Sequence, residues 1–378
     1  MKKITYNFIC LIGCDLMRVI VAAAGTGGHI YPAIAIIDKI KENDKNSEVL
    51  YIGTTDRMEK DIIPGLGIEY RGIPMAGIDR KNIFKNVSVF IKYKKAISSA
   101  KKLIKEFKPD VVVGVGGYIS APVIYAAHKL KVKVVIHEQN SIPGMTNKMM
   151  AKYASKICVS MPDAAKYFDS KKVVYTGNPR SQQIIDVPKI RKSAFNIRDN
   201  KKLVIIVMGS LGSTTISAKL KEMISSFSKK DYEVMIVTGK KYFDSFKKLN
   251  CPENVTLVPF LENFINLLKD TDLIVSRAGA STIAEITAIG LPSILVPSPY
   301  VTNNHQFVNA KELEDAGACK ILEEKDFSSE TLVPMIDEVL NNTGLYNSMK
   351  LAAKGLGVTD SADRVYNVIS KLVGENNE

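Results

Sequence analysis

Short apolar runs of strand length alternate with amphipathic, helix-length stretches along almost the whole chain. Such alternation predicts βα units wound around parallel sheets. A first series of strands is expected over Val19–Ala24, Val49–Ile52, Val111–Val115, Val134–His137, Lys156–Val159 and Val173–Thr176. A second is expected over Leu203–Met208, Val234–Thr238, Val255–Val258, Leu273–Ser276, Ser293–Val296 and Lys320–Leu322. Between them the polar, basic stretch VPKIRKSAFNIRDNKK lacks strong periodicity and sets a boundary near Asn178 to Lys202. Each series opens with an apolar strand that runs into glycines, GTGGH at 25–29 and GSLGS at 209–213, and then into a helix. The expected fold is α/β, two doubly wound Rossmann-like domains facing a central crevice, with ligands at the carboxyl ends of the strands.

Composition narrows the class. A chain of 378 residues with 46% apolar and 24% charged residues has material for two domains with real cores and lies far from the disordered range. Its five cysteines are scattered without a C-x-x-C pair, which argues against a disulfide framework or zinc knuckle and for a reducing compartment. The net charge of +13 draws the protein toward an anionic partner. With 7% aromatic residues, no Trp and no basic-aromatic module, nucleic acid is the least favoured partner. Val19–Ile37 and Val111–Ala127 are free of charge over nearly the ~20 residues of a membrane span, but glycines with Pro32 and Pro122 break both into strand, loop and helix. No transmembrane helix is expected. The opening MKKITYNFICLIGC resembles an export signal only superficially, and Met17, at the head of the first buried strand, is the expected start, with 1–16 an extension outside the fold.

Several motifs fall where a ligand would be met. In GTGGH the glycines allow close backbone approach before a helix amino terminus, yet Ile30 stands where a dinucleotide fingerprint requires glycine, and the Walker lysine is absent. What remains is a loop presenting His29, with helix re-entry at Pro32; a histidine suits proton transfer at neutral pH, or a simple cap. GVGGYIS at 114–120 and HEQN at 137–140 each follow a strand, where Glu138 and Asn140 serve either a substrate or their own loop. In SRAGASTIAE at 276–285, Thr282 and Glu285 fit a T-x-x-E capping box, while a carboxylate there also suits ribose hydroxyls. Asp270 and Asp272 form a D-x-D that reads as a loop feature rather than a metal site. Over 78–95 a helix would align Lys81, Lys85, Lys92 and Lys95 opposite Ile83, Phe84, Val87, Phe90 and Ile91. Such a helix packs its apolar side on the core, unless 78–84 form an exposed apolar loop at a membrane surface.

Taken together, MRVIVAAAGTGGHIYPAIAI, GVGGYIS, HEQNSIPGMTNK, TGNPR, MGSLGS, SRAGASTIAEITAIGLPSILVP and NHQFVNA resemble, in order, the MurG family of peripheral membrane glycosyltransferases. The resemblance implies a GT-B fold and inverting transfer of N-acetylglucosamine from UDP-GlcNAc to the C4 hydroxyl of MurNAc in undecaprenyl-diphosphoryl-MurNAc-pentapeptide, the last lipid step of peptidoglycan synthesis. It implies an acceptor- and membrane-binding domain over 17–179, completed by a carboxyl-terminal helix near 358–374, and a UDP-GlcNAc domain over 180–357. His29 or Glu138 would take the proton. Thr26, Gly27, Gly28, Tyr118 and Asn140 would line the acceptor side. Asn140, Arg180, Ser210, Ala280, Ser281, Glu285 and Gln306 would meet the donor, with Arg180 and Ser210 on the diphosphate, Glu285 on the ribose and Gln306 on the sugar. Lys81, Ile83, Phe84 and Lys85 would touch an anionic membrane at the cytoplasmic face of the cell membrane. The resemblance implies neither cofactor nor metal, and partners among proteins of cell-wall synthesis.

Departures from the family pattern are local. Met208-Gly209-Ser210-Leu211-Gly212-Ser213 stands where the family usually has Gly-Gly-Ser-Gln-Gly-Ala, so that a polar contact from Gln is missing at Leu211, and Asn304 replaces the Asp of Asp-His-Gln. The competing readings are a GT-B transferase acting on another lipid such as diacylglycerol, or a non-catalytic nucleotide-sugar-binding scaffold.

Overall fold

The computed structural model describes residues 16–75, 86–208 and 213–374. Its first sheet has seven parallel strands in the order β3-β2-β1-β4-β5-β6-β7. These are β1 (Arg18–Ala23), β2 (Glu48–Thr54), β3 (Glu69–Ile73), β4 (Val111–Gly116), β5 (Lys133–Glu138), β6 (Lys156–Val159) and β7 (Val173–Tyr175). The second has six, in the order β10-β9-β8-β11-β12-β13. They are β8 (Lys202–Val207), β9 (Tyr232–Val237), β10 (Val255–Val258), β11 (Leu273–Ser276), β12 (Ser293–Leu295) and β13 (Cys319–Ile321). Strand order reverses between β1 and β4 in one sheet and between β8 and β11 in the other, which opens a crevice at the carboxyl ends of those strands.

Around the first sheet run α1 (Gly27–Asn43), α2 (Glu59–Gly65), α3 (Asn86–Phe107), α4 (Ser120–Lys129) and α5 (Met145–Met150), followed by α6 (Arg180–Asp186). The second carries α7 (Thr214–Met223), α8 (Phe243–Phe246), α9 (Phe264–Leu268), α10 (Ala280–Ile289), α11 (His305–Asp315), α12 (Ser329–Asn341) and α13 (Thr343–Leu356). The last helix, α14 (Ser361–Gly374), returns to the first sheet.

Alternation along β1 explains the layering. Val19 and Val21 face Ile30, Ile34 and Ile37 of α1 on one side, while Ile20 and Ala22 face Val123, Ile124 and Ala127 of α4 on the other. A strand covered on both faces has to be apolar at every position, which is why it reads as a continuous run. Val365, Ile369 and Leu372 of α14 join the α1 side of that core. The crossover is pinned by Ser361 Oγ, which donates to the Asn178 carbonyl at 2.6 Å, and by Asp363, which takes Gln182 Nε2 at 2.6 Å and Lys39 Nζ at 3.1 Å.

Three expectations are corrected. Strand β3 was not anticipated, because EYRGI is an edge strand with Glu69, Arg71 and Gly72 exposed and no apolar run to betray it. Helix α1 begins at Gly27, not Pro32, so His29 is its third residue rather than part of a loop. Pro32 is tolerated inside α1 at the loss of one backbone bond, that to the Gly28 carbonyl. Along α3 the buried face is Ala96, Ala100 and Ile104, whereas Phe90 and Ile91 stand 59% and 52% exposed instead of packing on the core. Lys81, Ile83, Phe84 and Lys85 lie outside the described residues. Among the described residues no helix is long and apolar enough to cross a membrane.

Candidate active site

Strand β1 delivers the chain to Gly25, whose φ of +104° favours glycine. The Gly25 N–H donates to Glu59 Oε2 at 3.3 Å, and the other oxygen of this fully buried carboxylate takes the Thr54 N–H at 3.1 Å and Thr54 Oγ1 at 2.7 Å. Glu59 thus ties the ends of β1 and β2 together. One turn on, His29 Nδ1 lies 3.2 Å from the Ala24 carbonyl. A carbonyl only accepts, so Nδ1 carries the hydrogen and Nε2 is the basic nitrogen.

The end of β4 closes on this ring. A Cβ at Gly116 would sit 2.5 Å from His29 Cδ2, and one at Gly117 would sit 2.2 Å from the Ala24 oxygen. Burial pushes the His29 pKa below its ordinary 6.5. The Glu138 carboxylate opposes that most strongly, then the bond to Ala24; His305 adds to the lowering, and Glu59 acts weakly against it. Thr26 is the exposed N-cap and makes no side-chain cap bond, so Gly27 and Gly28 present first-turn N–H groups without intrahelical acceptors. Tyr118 Oη accepts from Arg57 Nε at 3.3 Å.

Glu138 ends β5 and is buried. Its Oε1 takes the Asn140 N–H at 3.0 Å and Asn140 Nδ2 at 3.3 Å; its Oε2 takes the Gly144 N–H at 3.0 Å and Asn147 Nδ2 at 2.8 Å. A carboxylate holding four donors organises the 138–147 loop and acts on His29 through its charge. Asn140 Oδ1 in turn accepts from Asn309 Nδ2 of α11 at 3.2 Å.

On the opposite wall Arg180 opens α6, and its Nε donates to Glu285 Oε1 at 2.8 Å. Its terminal nitrogens bond Glu285 and Gln183, and the guanidinium lies 5.3 Å from the centre of the Tyr31 ring of α1. The capping-box expectation for Thr282 and Glu285 is corrected. Gly279 is the N-cap of α10, which places Thr282 at the third helical position and Glu285 at the sixth. Ala280 and Ser281 therefore form the first turn, whose N–H groups suit an anion. Ser281 Oγ is buried with no hydrogen-bond partner among the described residues. Gln306, in the first turn of α11, accepts the Ser298 N–H at 2.8 Å. Ser210 lies outside the described residues.

Arg277 is a structural anchor of this wall that the sequence reading passed over. It reaches Glu324 Oε2 at 2.5 Å, Ser213 Oγ at 3.1 Å and the Val296 carbonyl at 3.1 Å, joining the segments after β11, β12 and β13 to the start of α7. Its one local signal is an arginine directly after a buried strand. The D-x-D serves the linker: Asp270 takes the Lys192 N–H at 2.8 Å and pairs with Lys189 at 2.5 Å, while Asp272 takes the Leu203 N–H at 2.8 Å. Among the described residues no cluster of three or more His, Cys, Asp or Glu side chains could hold a metal ion.

Known proteins resemble the chain over both sheets. The glycosyltransferase family 28 N-terminal domain profile matches residues 19–159, and the family's C-terminal domain profile matches 203–365. A protein of Bacillus cytotoxicus named UDP-N-acetylglucosamine--N-acetylmuramyl-(pentapeptide) pyrophosphoryl-undecaprenol N-acetylglucosamine transferase is 45% identical over 94% of this chain and 100% of its own length. A protein of the same name from Bacillus licheniformis is 42% identical, covering 94% and 99%. The crystal structure of Acinetobacter baumannii MurG superposes with a TM-score of 0.75 at 29% identity, covering 94% of this chain and 99% of that one. The S. aureus MnaA-UDP co-structure, at 17% identity and a TM-score of 0.70 over 95% and 97% of the two chains, shares the fold.

Proposed function

The chain belongs to glycosyltransferase family 28, and from that membership we propose that its crevice moves N-acetylglucosamine from UDP-GlcNAc to the C4 hydroxyl of MurNAc in undecaprenyl-diphosphoryl-MurNAc-pentapeptide. The observation that carries the mechanism is the tautomer of His29. With Nδ1–H given to Ala24, Nε2 is left to accept a proton, and burial keeps the ring neutral. Glu138, saturated by four donors, is the group that holds the loop and offsets that burial, not the group that takes the proton.

The acceptor C4 oxygen attacks the anomeric carbon from the side opposite the leaving group as its proton passes to His29 Nε2. The bond from the anomeric carbon to the diphosphate oxygen breaks, and UDP departs with that electron pair. Arg180, Ser210 and the first-turn N–H groups of Ala280 and Ser281 meet the charge that develops on the diphosphate. Preorganised donors of this kind are worth about 10²-fold or more in rate each. Glu285 turns to the ribose hydroxyls, Gln306 to the sugar, and Thr26, Gly27, Gly28, Tyr118 and Asn140 line the acceptor side. Asp270 and Asp272 are engaged by the Lys192 and Leu203 N–H groups, so the proposed transfer does not call on the D-x-D to hold a metal.

The acceptor's lipid tail requires work at a bilayer surface. We place the protein at the cytoplasmic face of the cell membrane, with the segment of Lys81, Ile83, Phe84 and Lys85 and the exposed Phe90 and Ile91 against anionic lipid. The test is incubation with UDP-GlcNAc and a short-chain acceptor analogue in EDTA, followed by mass spectrometry. A product heavier by one N-acetylhexosamine, lost in His29→Ala, supports the reading. UDP binding without any product would redirect the assignment to another lipid acceptor or to a non-catalytic role.

A further inference from the structure

Where the two walls meet, a single side chain holds three segments at once. Asn309 of α11 is fully buried. Its Oδ1 accepts the Ser141 N–H at 3.0 Å, and its Nδ2 donates to Asn140 Oδ1 at 3.2 Å and toward the Ala278 carbonyl at 3.4 Å. One carboxamide therefore joins the loop after β5, the loop before α10 and the helix α11. One step along the same ridge, at i+3, Glu312 Oε2 accepts Ser141 Oγ at 2.8 Å. Gln306 lies one step back, at i−3, on that ridge.

The loop reached by these bonds is itself cross-linked through Glu138. Glu138 fixes Asn140, Gly144 and Asn147 from below, and the same carboxylate acts on His29. Helix α11 is thus tied by hydrogen bonds to the loop that Glu138 organises.

Resting on the transferase reading above, we propose that Asn309 and Glu312 form an interdomain latch on Asn140 and Ser141 that sets the spacing between His29 and Gln306. They are positioning residues: they touch neither reacting atom but register the sugar against the activated hydroxyl. A misplacement of about 1 Å can cost about 10²-fold in rate without weakening ground-state binding.

The experiment measures kcat and KM for Asn309→Asp, Ser141→Ala, Glu312→Ala and Glu312→Gln. Asn309→Asp keeps volume but removes both donors and sets a carboxylate against two acceptor oxygens. It is expected to lower kcat about 10²-fold while KM for UDP-GlcNAc moves less than about threefold. Ser141→Ala and Glu312→Ala are expected to lose about tenfold each, and their double variant no more than either alone, because they remove one shared bond. Glu312→Gln, which still offers an oxygen to Ser141 Oγ, is expected to stay near wild type. If Asn309→Asp fails to fold, the Ser141 and Glu312 variants carry the test. Undiminished kcat in those variants, multiplying losses in the double variant, or a loss in Glu312→Gln equal to that in Glu312→Ala overturns the latch. Absence of product from the wild-type chain run in parallel defeats the transferase reading instead, so the two failures are told apart.

Discussion

Arg180 of α6 and Glu285 of α10 neutralise each other with side chains only 12% and 7% exposed, Nε lying 2.8 Å from Oε1. In the proposed donor complex these same groups face the diphosphate and the ribose, so nucleotide has to exchange one set of partners for another. Breaking a buried pair by removing one member commonly costs about 3–5 kcal/mol, since the other charge is left uncompensated. Arg180→Ala and Glu285→Ala are each expected to lower the urea midpoint without nucleotide, and the double variant to lose less than the sum by about 1 kcal/mol or more. With saturating UDP that coupling should shrink. Additive losses under both conditions would contradict the exchange.

Gly116 and His29 give a second handle. With φ at +117° and a would-be Cβ 2.5 Å from the His29 ring, Gly116→Ala combines backbone strain with displacement of the proposed base. Turnover is expected to fall about 10²-fold, with UDP affinity retained. Gly317→Ala is the control, for its φ is +74° with nothing within 4 Å of the added carbon. It should lose a comparable increment of stability, about 1–3 kcal/mol, and no turnover. Equal loss of activity in both variants would reduce the Gly116 effect to general destabilisation.

The acid side of the rate profile follows from the surroundings of His29. With His29 as the proposed base, only the neutral ring accepts a proton, so the rate is expected to climb as pH rises through its pKa, which burial holds below 6.5. Glu138, the Ala24 carbonyl and Glu59 pull that pKa up, and His305 pushes it down. His305→Gln removes the repulsion, so the acid limb should move to higher pH. A limb that stays in place, or moves the other way, would separate His305 from the base.

What was legible in the sequence was whatever repeats locally. Buried strands such as β1 and β8 announce themselves as apolar runs because both faces are covered, and the glycine turn after β1 marks the crevice. The exposed edge β3 offers no such run. The start of α1 was hidden because Gly27 and Gly28, poor helix formers, sit in the first turn, where the N–H groups have no intrahelical acceptors in any case. The contacts that organise the site were least legible. Glu59 reaches Gly25 across 34 positions and Asn309 reaches Ser141 across 168, and no periodicity records a hydrogen bond at such separations. The resemblance named residues expected to meet substrate, not those that hold them.

His137 makes the fold itself sensitive to acid. It is fully buried beneath the crevice between Gln139 Nε2, 3.0 Å from Nδ1, and the Gly177 carbonyl, 3.3 Å from Nε2, and burial pushes its pKa down to about 4. Unfolded, it would titrate near 6.5. Above that pH both states are neutral there and the group adds no pH dependence. Between about 6.5 and 4 the unfolded chain takes up a proton that the folded one refuses, so stability falls by at most about 3 kcal/mol. The urea midpoint should drop between pH 7 and 5, with a shallower drop in His137→Gln. An identical drop in both proteins would assign the acid sensitivity elsewhere.

The exposed end of α3 pairs apolar side chains with lysines. Phe90 and Ile91 are more than half exposed beside Lys92, Lys94 and Lys95, and Lys94 Nζ lies 4.8 Å from the Phe90 ring centre. A monomer gains nothing in its own core from such side chains, whereas a bilayer interface accepts the apolar groups and pairs the lysines with anionic lipid. Full burial of a Phe or Ile side chain is worth about 1.5–3 kcal/mol, so replacing both with serine should weaken partition onto anionic vesicles by about tenfold or more. Binding should also fall with salt, because the lysine contribution is screened within about 10 Å at 0.1 M. Far-UV circular dichroism and UDP affinity serve as controls for folding. If vesicle binding is indifferent to the double variant but still falls with salt, the attraction is electrostatic alone and α3 does not insert. If it is indifferent to both, this face does not meet the membrane.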